Sequence, residues 1–331
     1  MKAVVLVGGE GTRLQPLTFT TPKQMLPVAG RPMIERVVAH LAGHGIDQVV
    51  LSLGYRPAAF LTAYPDGHCA GVELLYAVEP EPLDTAGAIG FAARFAGIDD
   101  TFVVVNGDVL TGLDVGAVIA FHRQRQAEAT IALTPVDDPS RYGVVCTDPD
   151  GLVTAFIEKP PAGEAPTNLI NAGTYVVEPS VLERVPAGRR VSIERETFPA
   201  LVERGRLYAM ASDADWIDAG TPATYLSVSL AMAEREGGGI AAGARVHRRA
   251  QVVDSVVEAG AVIDEDAVVH GSLVFSGARV GPEARVRGSI LGHDSVIGKG
   301  ARVEELSVIG DGGVVADGEA LAGARRSDGA A

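Results

Sequence analysis

The amino-acid sequence predicts an α/β domain built on a mostly parallel sheet, followed by a parallel β-helix. Two observations carry this. From residue 1 to about 235, short apolar runs alternate with stretches of helical spacing, the pattern of strands joined by crossover helices. Beyond the glycines at 237–239 the apolar period becomes six, which places one inward residue on each short face of a parallel β-helix.

Taken in order, Val4 to Val7, Val49 to Leu53, Leu74 to Val78 and Phe102 to Val105 read as strands. Between the first two, Met33, Ile34, Val37, Val38 and Leu41 recur at helical spacing, with Pro32 before them and Gly43 and Gly45 after. That is a crossover helix. Gly90 to Phe95, Val115 to Arg125 and Pro222 to Arg235 are further helix candidates. In the second part, apolar residues recur at Ile240, Val246 and Val252, then from Val256 through Val262, Val268, Val274 and Val280 to Val286, and from Leu291 to Leu321. Two shortened steps interrupt the series, and about four coils of about eighteen residues are expected. The expected division is 1–235, 240–322 and a C-terminal tail at 323–331.

Composition narrows the function. The 331 residues are 47% hydrophobic and 21% charged, enough apolar material for sizeable cores. Twenty-eight basic against forty-two acidic side chains leave a formal charge of −14, the wrong sign for a nucleic-acid binder. No apolar run approaches a membrane span. Cys69 and Cys146 have neither disulfide-framework nor metal-ligand spacing, so a reducing, cytoplasmic setting is expected. Lysine occurs only at Lys2, Lys23, Lys159 and Lys299, which makes a lysine inside a motif informative.

The first strand runs into Gly8-Gly9-Glu10-Gly11-Thr12-Arg13-Leu14, a glycine-rich turn whose amides could cradle an anion. It satisfies neither the dinucleotide nor the Walker A pattern. Its continuation through Gln15-Pro16-Leu17-Thr18 to Pro22-Lys23-Gln24-Met25-Leu26-Pro27 makes it distinctive. These residues resemble the signature of the sugar-1-phosphate nucleotidyltransferase family, GGxGTRLxPLT followed by PKxxLP. Further stretches match in order: Asn106-Gly107-Asp108, Tyr142-Gly143-Val144-Val145, Phe156-Ile157-Glu158-Lys159-Pro160, Asn171-Ala172-Gly173-Thr174-Tyr175, Ser192-Ile193-Glu194-Arg195-Glu196 and Trp216-Ile217-Asp218-Ala219-Gly220. The resemblance implies a Rossmann-like nucleotidyltransferase domain and a hexapeptide-repeat, left-handed parallel β-helix.

It also implies a reaction in which a sugar-1-phosphate oxygen attacks the α-phosphorus of a nucleoside triphosphate and displaces pyrophosphate. Two polyanions must meet in line, so the expected equipment is cations, backbone amides and Mg²⁺ on carboxylates. By resemblance, Arg13 neutralises the triphosphate, Lys23 holds the reacting phosphates, and Gly8, Gly9, Gly11 and Thr12 let the backbone approach the nucleotide. Lys159 grips the sugar phosphate, Glu158 accepts sugar hydroxyls, and Asn171 and Gly143 complete the sugar site. Asp108, beyond the carboxyl end of a strand, and Asp218, in a turn rich in small residues, are the metal-binding aspartates of the family.

The base contact is expected from Glu79-Pro80-Glu81-Pro82-Leu83-Asp84-Thr85-Ala86-Gly87, which resembles the family's EPLGTAG but carries Asp84 where the pattern has glycine. A carboxylate at Glu79 can only accept, which suits the adjacent N–H donors of guanine, so GTP is the expected nucleotide. Val7-Gly8-Gly9, Ser192 to Pro199 and the β-helix most resemble the guanylyltransferase branch that uses mannose-1-phosphate; glucose-1-phosphate stays open. Three alternatives accompany this reading: a glucose-1-phosphate thymidylyl- or uridylyltransferase, a catalytically silent regulatory homologue that binds nucleotide-sugar and controls a partner subunit, and an acyltransferase tail using His247, His270 or His293. A homo-oligomer is expected because the β-helix exposes backbone and apolar rims.

Overall fold

The computed structural model describes residues 1–54 and 57–327. Contacts divide the chain into two units, Met1–Gly9 with Ile34–Trp216, and Glu10–Met33 with the chain from Ile217 onward.

The first unit is built on a ten-stranded sheet. At its centre Lys2–Leu6 pairs in parallel with Gln48–Leu53 on one side and Phe102–Asn106 on the other, and Val72–Val78 continues the parallel order beyond Gln48–Leu53. The strand Leu169–Val177 joins Phe102–Asn106 antiparallel and also pairs with Ala129–Pro135 and Gly143–Thr147. Valines 4, 50 and 104 are fully buried, as strands covered on both faces require. The expected strands are all present. The helices Met33–Gly43 and Val115–Arg125 fall where their spacing put them. The candidate at Gly90–Phe95 is the second half of a longer helix, Asp84–Phe95, whose first turn lies inside the base-contact motif.

Strand order reverses between Lys2–Leu6 and Phe102–Asn106, and sheets of this kind bind ligands at the strands' carboxyl ends beside such a switch point. Gly8 and Gly9 follow the first strand, Asp108 lies two residues past the second, and Glu79 directly follows Val72–Val78. Cys69 and Cys146 are free thiols, and burial, with Glu35 nearby, pushes the Cys69 thiol up to about 11.

In the second unit, three five-stranded parallel sheets stack rung on rung, the arrangement of a parallel β-helix. Val246 pairs with Ile263, Ile263 with Val280 and Val280 with Ile297, and equivalent serines in successive coils are 17 residues apart. The coils are therefore one residue shorter than expected, except for one step of the expected length, which takes Ile290 to Val308, Ile297 to Val315 and Val303 to Leu321. The inward register of the second coil differs too: Val257, Ile263 and Val269 are 0–1% exposed and form the core, not Val256, Val262 and Val268. Regular pairing also continues past residue 322, because Arg325–Arg326 pairs with Val308–Ile309 as a fifth strand of its sheet. The rest of the expected tail, 328–331, lies outside the described residues.

The helix Pro222–Arg235, bounded as its spacing predicts and opened by a capping box at Thr221 and Thr224, packs on the strands Val256–Val257 and Leu273–Val274. Its buried Tyr225 meets the Phe275 ring edge to face and donates its hydroxyl to the Pro27 carbonyl. This packing and the contacts of the 10–33 segment with the last coil place both segments in the unit of the β-helix rather than that of the sheet. Among the described residues no helix is long and apolar enough to cross a membrane.

Candidate active site

In the second unit the signature loop folds back on itself. Gly11 has φ +62°, and a Cβ there would lie 3.0 Å from Thr18 and 3.2 Å from the Lys23 stem, so glycine is required by both conformation and space. The Thr18 hydroxyl donates to the Gly11 carbonyl at 2.9 Å. Thr12–Leu14 is a single 3₁₀ turn that presents Arg13.

Asp218 receives both cations of this loop. Lys23 Nζ lies 3.6 Å from Asp218 Oδ1, and an Arg13 terminal nitrogen 4.0 Å from Oδ2. The Lys23 side chain is 6% exposed, Asp218 20% and Arg13 63%. Lys23 is thus a buried ammonium facing a carboxylate, while Arg13 is free to reach outward. Asp218 ends the strand Trp216–Asp218 rather than sitting in a turn, and a Cβ on nearby Gly220 would meet Arg13 at 2.6 Å and Asp218 at 2.7 Å. Asp218 Oδ1 and Gln24 Oε1 are sealed from solvent without a hydrogen-bond partner.

In the first unit, Gly9 has φ +103° with open space where a Cβ would stand, so its backbone can be approached closely. Gly107, between Asn106 and Asp108, has no such room, because a Cβ would meet Val7 at 2.7 Å and the Leu6 carbonyl at 2.9 Å. Glu79 is oriented by its own chain: the buried Ser52 hydroxyl donates to Oε1 at 2.9 Å, and the Leu83 N–H to Oε2 at 3.1 Å. Each oxygen retains a lone pair for a ligand donor. Asp84 adopts φ +60°, the left-handed conformation that a glycine would take, and its carboxylate accepts from the Thr85 N–H. The departure from glycine therefore preserves the turn, in a conformation that aspartate tolerates better than most side chains.

Gly143 and Glu158 face each other across a strand pair, and a Cβ on Gly143 would meet the Phe156 ring at 2.6 Å and Glu158 at 3.1 Å. Lys159, at φ +49°, turns its ammonium onto Glu158 at 3.1 Å. Asn171 donates to the Tyr175 hydroxyl and accepts from the Gly173 N–H, both at 2.9 Å. Burial raises the pKa of that hydroxyl, and the Glu194, Glu158 and Asp108 carboxylates raise it further, so Tyr175 stays protonated.

Three residues here had no role assigned from the sequence. Tyr175 holds Asn171. Glu194 Oε2 accepts from the hydroxyls of Thr85 and Ser192, both at 2.8 Å, tying the start of helix Asp84–Phe95 to the single π-turn Ile193–Thr197. Gln24 brings an unsatisfied buried carbonyl beside Lys23 in sequence. The Ser-Ile-Glu motif carried the only signal that could have found Glu194. Of the β-helix histidines, His270 faces Asp254 at 3.7 Å and His293 packs against Phe275.

Asp108 and Asp218 offer oxygen donors alone, which suit a hard cation. Among the described residues no cluster of three or more acidic, His or Cys side chains gathers for a metal. Each aspartate fits Mg²⁺ in its donor chemistry, since that ion is held by one or two carboxylates and fills its octahedron with water and substrate phosphate oxygens.

Residues 2–235 match the model of the nucleotidyl transferase family, and residues 238–325 that of the GMPPB C-terminal domain. A mannose-1-phosphate guanylyltransferase of Mycobacterium tuberculosis is 45% identical over 228 residues, 68% of this chain and 62% of its own length. A mannose-1-phosphate guanylyltransferase catalytic subunit beta of Drosophila pseudoobscura pseudoobscura is 41% identical over 228 residues, 68% of this chain and 61% of its own. The matched segment thus spans about three fifths of each relative. Among solved structures, HddC of Yersinia pseudotuberculosis complexed with GMP-PN is similar at 30% identity and a TM-score of 0.60, covering 70% of this chain and 99% of that one.

Proposed function

This chain belongs to the nucleotidyl transferase family, and from that premise we propose that it joins GTP to mannose-1-phosphate, giving GDP-mannose and pyrophosphate. The observation that carries the reading is the pairing of Arg13 and Lys23 on Asp218 directly after the glycine turn. A cation pair resting on one carboxylate is equipment for a polyphosphate.

Lys23, buried and fixed in direction, holds the phosphates at the reacting phosphorus, while the exposed Arg13 swings from Asp218 to the departing pyrophosphate. Gly8, Gly9 and Gly11 with Thr12 supply backbone that nucleotide can approach. Lys159 takes the sugar phosphate and Glu158 accepts sugar hydroxyls, with Gly143 and Asn171 shaping that end. Asp108 and Asp218 are the carboxylates that would hold Mg²⁺, which when bound supplies charge neutralisation on phosphate oxygens.

Glu79, aimed by Ser52 and the Leu83 N–H, accepts from the guanine N1–H and N2–H₂, and Asp84 lies in the same turn. The guanylyltransferase name of the 45% identical relative and the GMP-PN bound in the HddC complex support this base. Pyrophosphate release, measured with Mg²⁺ over GTP, UTP, dTTP, ATP and CTP against mannose-1-phosphate and glucose-1-phosphate, is expected to favour GTP with mannose-1-phosphate. Preference for a pyrimidine would sink the Glu79 argument and keep the family chemistry. No turnover, with nucleotide-sugar still bound, would replace the enzyme by a silent binding homologue.

We also read the protein as a cytoplasmic homo-oligomer, an assembly that would cover Ile240 and Val253, exposed at 51% and 46% at the open edge of the first coil. Sedimentation velocity at micromolar concentration is expected to give a species larger than the 34.3 kDa chain, and a single monomer boundary would end that reading.

A further inference from the structure

The last coil of the β-helix touches the signature loop at three places within the second unit. Arg325 Nη1 donates to two loop carbonyls, Arg13 O at 2.8 Å and Gln15 O at 2.9 Å. The Thr20 hydroxyl donates to Asp311. The Pro16 ring rests on Gly310, where an added Cβ would lie 3.0 Å from the proline. All three contacts fall between Arg13 and Thr20, on the segment that joins Gly11 to Lys23.

We propose that the last β-helix coil is a brace for the signature loop, and that Arg325 is a positioning residue which fixes the backbone from which Arg13 projects. Carbonyls at the end of a 3₁₀ turn lack partners within the turn, so the peptide planes at Arg13 and Gln15 would otherwise be set by water. Nη1 carries two hydrogens and spends one on each carbonyl, which fixes both planes from one atom. A charged donor makes these bonds stronger than neutral ones. Asp311 is itself held, because its Oδ1 accepts from the His293 N–H at 2.8 Å, so the turn that meets Thr20 is rigid with the coil. Arg326 serves a different purpose: it clasps Glu319 within the coil, at 2.9 and 2.6 Å. The two neighbouring arginines thus separate a bond to the loop from a bond within the β-helix.

The inference rests on the nucleotidyl-transfer reading for its consequence, while the clasp can be measured without turnover. The experiment compares the full-length protein with its Arg325→Ala, Arg325→Lys and Arg326→Ala variants by amide hydrogen exchange, thermal unfolding and pyrophosphate-release kinetics. Exchange reads the peptide holding Leu14, Gln15 and Phe19, whose N–H groups bond within the loop. Arg325→Ala is expected to speed that exchange and to lower kcat/KM for the nucleotide about tenfold, since small misplacements of a phosphate-holding group are costly. KM for the sugar phosphate should stay unchanged, and Arg325→Lys should recover part of the loss. Arg326→Ala should lower the unfolding temperature and leave loop exchange as in the parent. Unchanged exchange in Arg325→Ala would overturn the brace, and faster exchange with parental kinetics would overturn its role in positioning. A parent protein without turnover would count against the proposed function, while the exchange comparison would still decide the clasp.

Discussion

Replacing Asp218 with alanine is expected to abolish nearly all nucleotidyl transfer and to destabilise the fold at once. The stability loss comes from Lys23. Its ammonium is 6% exposed and faces Asp218 Oδ1 at 3.6 Å. Removing Asp218 takes from the buried ammonium a carboxylate that it faces, a change that costs about 1 to 3 kcal/mol. The activity loss has a separate origin, because Asp218 is both the rest position of Arg13 and a proposed metal carboxylate; loss of such a group lowers kcat about 10²- to 10³-fold. Lys23→Ala should match the activity loss with a smaller stability loss, since the remaining carboxylate is 20% exposed and keeps Arg13 within 4.0 Å. The double variant is then expected to be more stable than Asp218→Ala alone and no more active. Calorimetry with pyrophosphate-release assays reads both quantities, and additive stability losses would mean that the pair is not coupled.

Much of this arrangement is legible in the sequence because each piece is local. Val115–Arg125 and Pro222–Arg235 carry their own spacing and boundaries, and the structure ends them where the pattern does. Gly11, Arg13 and Lys23 lie within one short motif. What escapes is non-local: the Thr85–Glu194 bond joins residues 109 apart in sequence, and the Arg325 clasp reaches 312 residues back to Arg13. Nothing in local spacing gives the fifth β-helix strand that brings Arg325 to its place. Only the second half of helix Asp84–Phe95 is legible in the spacing, because its first turn begins on an aspartate in the left-handed conformation, which helix propensity does not anticipate. The β-helix register is ambiguous in the sequence for a different reason. In the second coil both candidate positions are apolar, at Val256-Val257, Val262-Ile263 and Val268-Val269, so a six-residue period fits either. The third coil is unambiguous because arginine stands between the buried alanine and the inward valine in Ala278-Arg279-Val280 and Ala284-Arg285-Val286. Carried back one coil, an inward residue two places after Ala261 and Ala267 selects Ile263 and Val269.

That choice of register makes the second large prediction, a contrast between adjacent valines. Val269 is 0% exposed and stacks between Val252 and Val286 of the neighbouring coils, whereas Val268 is half-buried and aligned with the exposed Arg285. Aspartate at 269 would have to ionise without a partner or stay protonated among valines, and either outcome costs about 5 kcal/mol. Because the coils stack in one dimension, the damage also removes neighbour contacts on both sides. Aspartate at 268 can turn its carboxylate to solvent beside Arg285, at a cost of about 1 kcal/mol or less. Thermal unfolding should therefore separate Val269→Asp sharply from Val268→Asp. Burial raises the folded-state pKa of the new carboxyl above its unfolded value, so the Val269→Asp penalty is greatest at neutral pH. It shrinks as the pH falls from the raised folded-state pKa towards the ordinary carboxylate value of about 4, and it levels off below that, where the unfolded chain is protonated too. The opposite ranking of the two variants would restore the register in which Val256, Val262 and Val268 point inward.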